Sequence, residues 1–181
     1  GATVGSIVGS DALSASVVYD ACYGDNDYIC VAYNLGVLRS KDGITWVDSD
    51  FPLPHSTYIK SLSSGGGAFV AVGINGTNAY SANGVNWTLN TTLGAVQLRS
   101  SCYGNGVFVA VDPASTTGWY STDGGITYNT MTLAHTGINK IVYNTVEATF
   151  LAVGDNGMSI SVNGINWTVS TTDTTGTDVN K

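Results

Sequence analysis

The chain has 181 residues, of which 10% are charged, and its formal net charge is −7. This length suffices for one domain with a sizeable core. The acidic balance excludes nucleic acid as a ligand, because phosphates require a basic surface. No apolar run approaches the ~18 residues of a membrane-spanning helix, so we expect no membrane insertion.

The first 15 residues come before any repeated pattern. They are mostly small or β-branched, a composition that suits an extra strand. We therefore predict an N-terminal arm or extra strand over residues 1–15. At the other end, residues 172–181 are polar and rich in Thr and Asp, which predicts a C-terminal tail.

Between these ends, one short pattern occurs four times. Each copy has Ser, then Asp or Asn, then Gly, and it closes on an aromatic residue; these aromatics are spaced by 41, 41 and 39 residues. Asp and Asn bond their own following backbone, and Gly adopts positive φ freely, so each copy predicts a tight turn between antiparallel strands. The predicted turn residues are Ser40, Asp42, Trp46, Ser81, Asn83, Trp87, Ser121, Asp123, Gly125, Tyr128, Ser161, Asn163 and Trp167.

An apolar run of four residues comes before each turn, at 28–31, 69–72, 108–111 and 150–153. Short continuous apolar runs are typical of strands buried on both faces. One four-stranded sheet cannot bury both of its own faces, so the units must stack on one another. Radial stacking makes a β-propeller, and it also protects the sheet edges.

The predicted fold class is therefore all-β, a β-propeller of four antiparallel, four-stranded blades of roughly 40 residues. The propeller spans residues 16–171, with blades at about 16–49, 57–90, 96–131 and 137–171. Three arrangements remain open at this point: closure within one chain, which is simplest, a larger ring completed by two chains, or a part of a longer open array.

The three cysteines do not suggest a disulfide framework, since their number is odd. A hairpin turning at Asp25 and Asn26 would place Cys22 and Cys30 on opposite faces. Alanine stands at the equivalent of Cys30 in the other three repeats. We therefore interpret Cys30 as a small core residue and expect three free thiols.

The copy at residues 121–128 fits the Asp-box pattern, Ser-x-Asp-x-Gly-x-Thr-aromatic, and the other three look like shortened relatives. The chain thus resembles the Asp-box (BNR, sialidase-like) propellers over residues 16–170. Its repeats are also similar to those in phage virion and tail proteins and in bacterial surface proteins. This resemblance implies an extracellular or virion-associated attachment module. Its partners would be a glycan, a cell-surface receptor or other virion or surface proteins, and a homo-oligomer is left open.

The sialidase resemblance also implies a catalytic set that this chain lacks. Sialidases use three arginines, a tyrosine nucleophile and a supporting glutamate, whereas the chain has two arginines, Arg39 and Arg99, and one glutamate, Glu147. We therefore expect no catalytic residues. The alternatives are a glycan-cleaving hydrolase and a purely architectural subunit of a virion or surface assembly. His55 and His135 have no metal-ligand spacing around them, so we expect neither a metal nor a cofactor.

Binding is expected on the face opposite the repeated turns, where the loops vary most between repeats. The candidate binding residues are Tyr33, Asn75, Asp112, Trp119 and Asp155. Trp119 has two interpretations: an exposed platform for a sugar ring, or a side chain packed against the neighbouring blade.

Overall fold

The computed structural model describes residues 7–8, 16–33, 35–52, 58–90 and 93–170. Within these residues the chain forms seventeen short strands and one 3₁₀ turn, Ile74–Gly76. None of the described helices is long and apolar enough to cross a membrane. The predicted C-terminal tail, His55 and most of the N-terminal arm lie outside the described residues.

Four antiparallel sheets follow one another along the chain, as predicted for four blades. We name them blades 1 to 4. Blade 1 consists of β2 (Val18–Gly24), β3 (Asp27–Ala32), β4 (Gly36–Ser40) and β5 (Trp46–Asp48), with β1 (Ile7–Val8) paired to β5 as a fifth strand. Blade 2 consists of β6 (Ile59–Gly65), β7 (Ala68–Gly73), β8 (Asn78–Ser81) and β9 (Thr88–Asn90).

Blade 3 consists of β10 (Ser100–Gly104), β11 (Val107–Val111), β12 (Thr117–Ser121) and β13 (Asn129–Thr132). Blade 4 consists of β14 (Ile138–Asn144), β15 (Thr149–Gly154), β16 (Gly157–Ser161) and β17 (Thr168–Val169). The four consecutive strands of each blade are neighbours in chain order and form a simple meander, to which β1 adds at the edge of blade 1. The prediction of an all-β fold with four four-stranded antiparallel sheets is confirmed.

The first hairpin of each blade sets the register of its strands. In blade 1 Asp25 and Asn26 have φ of 49° and 59°, the left-handed conformation of a two-residue turn. This turn pairs Cys22 with Ile29, and it pairs Ala21 with Cys30. Successive residues of a strand point to opposite faces, so the two thiols are separated as predicted. All three cysteines are free.

The core lies between blades rather than within one sheet. Ile29 of blade 1, Val70 of blade 2 and Val109 of blade 3 occupy the same position, and each is at most 1% exposed. Three apolar clusters result, one between each pair of consecutive blades. Burial of both faces of β7 and β11 follows from this stacking, as their continuous apolar sequences indicate. The second face of β3 is buried differently, because Cys30 packs with Leu38 of its own blade.

A repeated hydrogen bond joins the first strands of consecutive blades. The Leu62 N–H donates to Asp20 Oδ2 over 2.9 Å, and the Ser101 N–H donates to Ser61 Oγ over 3.0 Å. The Ile141 N–H donates in the same way to the Ser100 Oγ, over 3.2 Å. Each junction thus pairs a backbone donor of one blade with a side-chain acceptor of the blade before it.

The four described blades form an open arc. β2 packs against β6, β6 against β10 and β10 against β14, whereas β14 and β2 do not pack against each other in a comparable way. Leu151 in blade 4 corresponds to Val109 but is only half-buried, because none of the described blades packs on it. Of the three arrangements that the sequence leaves open, closure into a four-blade ring is therefore not the one observed.

Candidate functional site

Each of the four repeated turns is held by a Ser side chain and an Asp or Asn side chain, and we call them the Ser–Asx turns (residues 40–46, 81–87, 121–128 and 161–167). In the first, the Ser40 hydroxyl donates to Asp42 Oδ1 over 2.9 Å. The same Oδ1 accepts the N–H groups of Ile44 and Thr45, at 2.8 and 2.7 Å. Asn83 and Asn163 do the same with their amide oxygens, so the turn needs an oxygen acceptor and not a charge.

The third Ser–Asx turn contains one more residue and closes differently. The Gly125 N–H donates to Ser121 Oγ over 2.8 Å, and Gly125 has φ of 89°. Asp123 Oδ1 accepts the Thr127 N–H, and Oδ2 accepts the Thr127 hydroxyl at 2.6 Å. The extra glycine supplies a left-handed residue that lets the longer loop keep the same anchor.

The closing aromatics cover the turns, as predicted. The indole N–H groups of Trp46, Trp87 and Trp167 donate to the carbonyl oxygens of Gly43, Gly84 and Gly164 at 3.2 to 3.3 Å. Tyr128 takes this place in the third turn, and its hydroxyl has no hydrogen-bond partner in the described structure. Burial raises the pKa of the Tyr128 hydroxyl, and the nearby Asp123 carboxylate adds to the shift.

Both turn carboxylates are held in the charged form. Backbone donors, first the Thr45 N–H and then the Ile44 N–H, lower the pKa of Asp42 to about 2. Burial opposes ionisation of Asp123, but donation from Thr127 and Ser121 outweighs it and lowers the pKa of that carboxyl. A carboxyl with a lowered pKa is a poor proton donor at neutral pH, so neither group suits general acid catalysis.

A cleft of about 530 Å³ lies between the Ser–Asx turns of blades 2 and 3. Hydroxyl and amide side chains contribute most of its polar groups, and Tyr80 and Ile126 contribute larger apolar surfaces. The lining residues are Gly66, Ala68, Tyr80, Ser81, Ala82, Asn83, Asn86, Thr88, Thr122, Asp123, Gly124 and Ile126. The repeated turn pattern predicts a structural turn and does not by itself predict this cleft. The small residues 66–68 opposite the turns are the signal that could have indicated a concavity.

The candidate binding residues on the opposite face are spread over four blades. Tyr33 is exposed, and its N–H donates to the Val17 carbonyl. Asp155 is also exposed and accepts the Asn139 amide over 3.0 Å. Asp112 is buried and accepts the N–H groups of Gln97 and Ala114, so its carboxylate already has donors.

Two of the five candidates are brought together by a residue that the sequence analysis did not select. The Gln97 N–H donates to Asp112 Oδ2 at 2.9 Å, and the Gln97 side-chain amide donates to Asn75 Oδ1 at 3.4 Å. Asn75 also lines a pocket of about 260 Å³ with Gly76, Thr77, Leu89, Asn90, Gly94 and Ala95. Neither Tyr33 nor Asp155 contributes to that pocket.

Trp119 is 7% exposed and packs with Val72, Leu98 and Phe108 in the core between blades 2 and 3. Its indole is therefore not an exposed platform. Of the two interpretations given above, packing against the neighbouring blade is the one that the structure shows.

The residues considered for catalysis and metal binding are dispersed. Arg39 lies on β4, Arg99 lies before β10, and Glu147 lies in the first hairpin turn of blade 4. Within the described part of the chain, no three His, Cys, Asp or Glu side chains cluster closely enough to hold a metal ion.

Comparison with solved structures supports the propeller fold. Virginiamycin B lyase from Staphylococcus aureus has a TM-score of 0.67 and 15% identity over 84% of this chain and 55% of its own. YCF48 from Cyanidioschyzon merolae has a TM-score of 0.61 and 19% identity over 94% of this chain and 61% of its own. YCF48 bound to D1 peptide has a TM-score of 0.62 and 19% identity, over 84% and 53% of the two chains.

The chain thus spans between half and two thirds of the length of these structures. Other similar structures include WD40 repeats and GH74 enzymes, so the fold hosts both binding proteins and enzymes. No family model and no curated protein sequence matches the chain. The structural likeness establishes a β-propeller fold built from four antiparallel blades.

Proposed function

We propose that the chain is a non-catalytic binding module, related to the Asp-box propellers, that attaches an extracellular or virion-associated assembly to a surface glycan. The observation that carries this proposal is the cleft between the Ser–Asx turns of blades 2 and 3. Binding sites are generally concave, with apolar surface and a few polar groups that fix orientation.

The lining of the cleft suits a ligand rich in hydroxyl groups. Asn86, Thr88 and Thr122 are exposed and offer amide and hydroxyl groups, while the half-buried Tyr80 offers part of a ring face. Asp123 is the one charged residue in the lining, and its oxygens already accept bonds from its own turn. A neutral oligosaccharide is therefore favoured over a strongly charged ligand.

Similar structures supply a second ligand class to test. One is a YCF48 bound to D1 peptide, and another belongs to a nidogen–laminin complex. In both, a propeller has a protein or peptide partner. A cell-surface receptor protein, or another virion or surface protein, is accordingly the alternative partner for this chain.

A glycan array, followed by calorimetry with the best oligosaccharide, tests the proposal. Asn86→Ala should weaken binding about fivefold, because a hydrogen bond to the ligand is worth about 1 kcal/mol. Asn166→Ala is the matched control, since Asn166 holds the same position in the fourth Ser–Asx turn. Equal losses in both variants, or no glycan binding with clear peptide binding, would contradict the glycan proposal.

The hydrolase alternative is tested on the same ligand. Incubation with the oligosaccharide should leave it intact when reducing ends are measured over a day. Appearance of new reducing ends that depends on Asp or Tyr side chains of the cleft would show an enzyme instead. An architectural subunit would bind neither glycan nor peptide.

A further inference from the structure

The open arc leaves an apolar sheet face uncovered on blade 4. Val142, Leu151 and Ile160 lie side by side across β14, β15 and β16. Val142 is 46% exposed and Ile160 is 36% exposed. In blade 3 the matching residues Cys102, Val109 and Tyr120 all pack against blade 4. This face of blade 4 thus carries the positions that blade 3 uses to pack against the blade after it, but none of the described blades packs on it.

Blade 1 exposes, along its first strand β2, the positions that blades 2, 3 and 4 use to pack against the blade before them. Ala21 is exposed, although Leu62, Ser101 and Ile141, at the same position in the other blades, are buried. Tyr28 is 42% exposed, whereas its equivalent Phe69 is 1% exposed.

The exposed pair Tyr23 and Tyr28 has the geometry of a buried junction. Their ring centroids are 4.8 Å apart, against 4.7 Å for Tyr103 and Phe108. The latter pair packs between blades 2 and 3. Blade 1 therefore presents, at its surface, the aromatic arrangement that another blade uses against its neighbour.

The polar groups that form the repeated hydrogen bond between first strands are also changed at both ends of the arc, on blade 4 and on blade 1. Lys140 stands where Asp20, Ser61 and Ser100 supply the acceptor of the repeated hydrogen bond between first strands. An ammonium cannot accept a hydrogen bond. At the other end, the Ala21 N–H is already covered by Asp20 Oδ1, at 2.9 Å. A Lys140 ammonium placed at such a junction would meet the Asp20 carboxylate.

We propose that β14 of one copy docks on β2 of a second copy, head to tail, so that two four-blade arcs close into one eight-blade ring. The contact continues the sequence of β2–β6, β6–β10 and β10–β14 junctions, with a Lys140–Asp20 ion pair in place of the backbone hydrogen bond. Head-to-tail interfaces give closed rings when the rotation per copy closes. Eight blades lie within the range of known propellers, about four to eight.

On blade 1 the contact is formed by the first two strands, β2 and β3, and not by the whole face of the sheet. On blade 1 the outer residues Cys30 and Leu38 are already buried within the chain, so docking uses Ala21, Tyr23 and Tyr28. The new junction differs from the internal junctions at the residue that ends the first strand of the blade. Gly104 accommodates the Tyr143 ring, whereas Asn144 holds the glycine's place on blade 4 and would face Tyr23.

Light scattering after size exclusion, over a concentration series of the 181-residue chain, measures the assembly directly. The wild-type mass should approach twice the 18.7 kDa of one chain. Val142→Glu on blade 4 and Tyr23→Glu on blade 1 should each return the mass of one chain. Val146→Glu is the matched control, because Val146 is exposed in a hairpin turn outside the face. A wild-type chain that stays monomeric throughout overturns the proposal.

Mixing the two variants distinguishes head-to-tail docking from self-pairing of blade 4. An equimolar mixture of Val142→Glu and Tyr23→Glu keeps one intact junction and should form a heterodimer. A Tyr23→Glu variant that dimerises by itself would instead show blade 4 pairing with blade 4, and would overturn head-to-tail docking. Circular dichroism of each variant establishes that it is folded.

The ion pair and the glycine position give two further readouts. Lys140→Glu should weaken the dimer at least tenfold at low salt, whereas Lys140→Arg should retain it. Asn144→Gly should tighten the dimer, because it restores the space that Gly65 and Gly104 provide for a ring at two internal junctions. A dimer insensitive to both Lys140→Glu and Asn144→Gly would contradict the proposed register.

Discussion

The ring of Tyr143 in blade 4 fills the space that a side chain at Gly104 in blade 3 would need. The ring of Tyr103 lies in the same way against Gly65 of blade 2. In blades 2 and 3 the glycine that ends the first strand thus admits an aromatic ring from the next blade, whereas Gly24 of blade 1 faces the small side chain of Ser64. Packing between blades, and not backbone conformation, explains the glycine at position 104.

Gly104→Ala should therefore destabilise the fold. The added methyl group overlaps the Tyr143 ring, and overpacking of this kind costs about 1–3 kcal/mol. Urea unfolding of Gly104→Ala, Tyr143→Ala and the double variant measures the effect. The alanine at position 104 should cost less when the ring is absent. Additive losses would show that the ring and the glycine do not interact.

Replacing Asp42 with Asn should change how stability depends on pH. The folded pKa of Asp42, about 2, lies below the unfolded value, so the carboxylate contributes stability above about pH 4 that is lost as pH falls towards 2. Asp42→Asn keeps the acceptor that Asn83 and Asn163 provide in their turns, and it should remove that loss between pH 4 and 2.

Free energies of unfolding measured from pH 7 to pH 2 test this prediction. Asn83→Asp is the reciprocal variant and should gain an acid-dependent loss of stability in the second turn. Parallel pH profiles for the wild type and Asp42→Asn would contradict the role given to the carboxylate.

Trp119→Ala should unfold the protein more readily rather than act on ligand binding alone. Removing a large buried aromatic side chain costs about 3–5 kcal/mol, because a cavity replaces its contacts. Tyr33→Ala, at an exposed position of the same face, should cost less than about 0.5 kcal/mol. Melting curves of the two variants decide the point, and similar melting temperatures would contradict the burial of Trp119.

The three thiols should react slowly in the folded protein. Burial raises the pKa of Cys22 to about 12 and of Cys30 and Cys102 to about 11, so little thiolate is present at pH 8. Thiol titration in denaturant without reductant should then find three groups per chain. A count of one would show a disulfide, and rapid reaction of all three in the native protein would contradict their burial.

Interactions between residues close in the sequence allowed the blades to be predicted from the sequence alone. In the Ser–Asx turns the bonding partners are two to four residues apart, as between Ser121, Asp123 and Thr127. Such contacts follow from residue type and spacing alone. The same holds for the hairpin register, in which the turn at Asp25 and Asn26 separates Cys22 from Cys30.

What only the tertiary structure decided involves residues of different blades, which are far apart in the sequence. Asn86 and Thr122 share a cleft because blades 2 and 3 stack, and Trp119 is buried because blade 2 covers it. The repeat predicts that blades stack, but it does not specify the rotation between them. That rotation leaves Val142 exposed and the arc open, since it depends on side-chain packing across every junction, such as the fit of Tyr143 against Gly104.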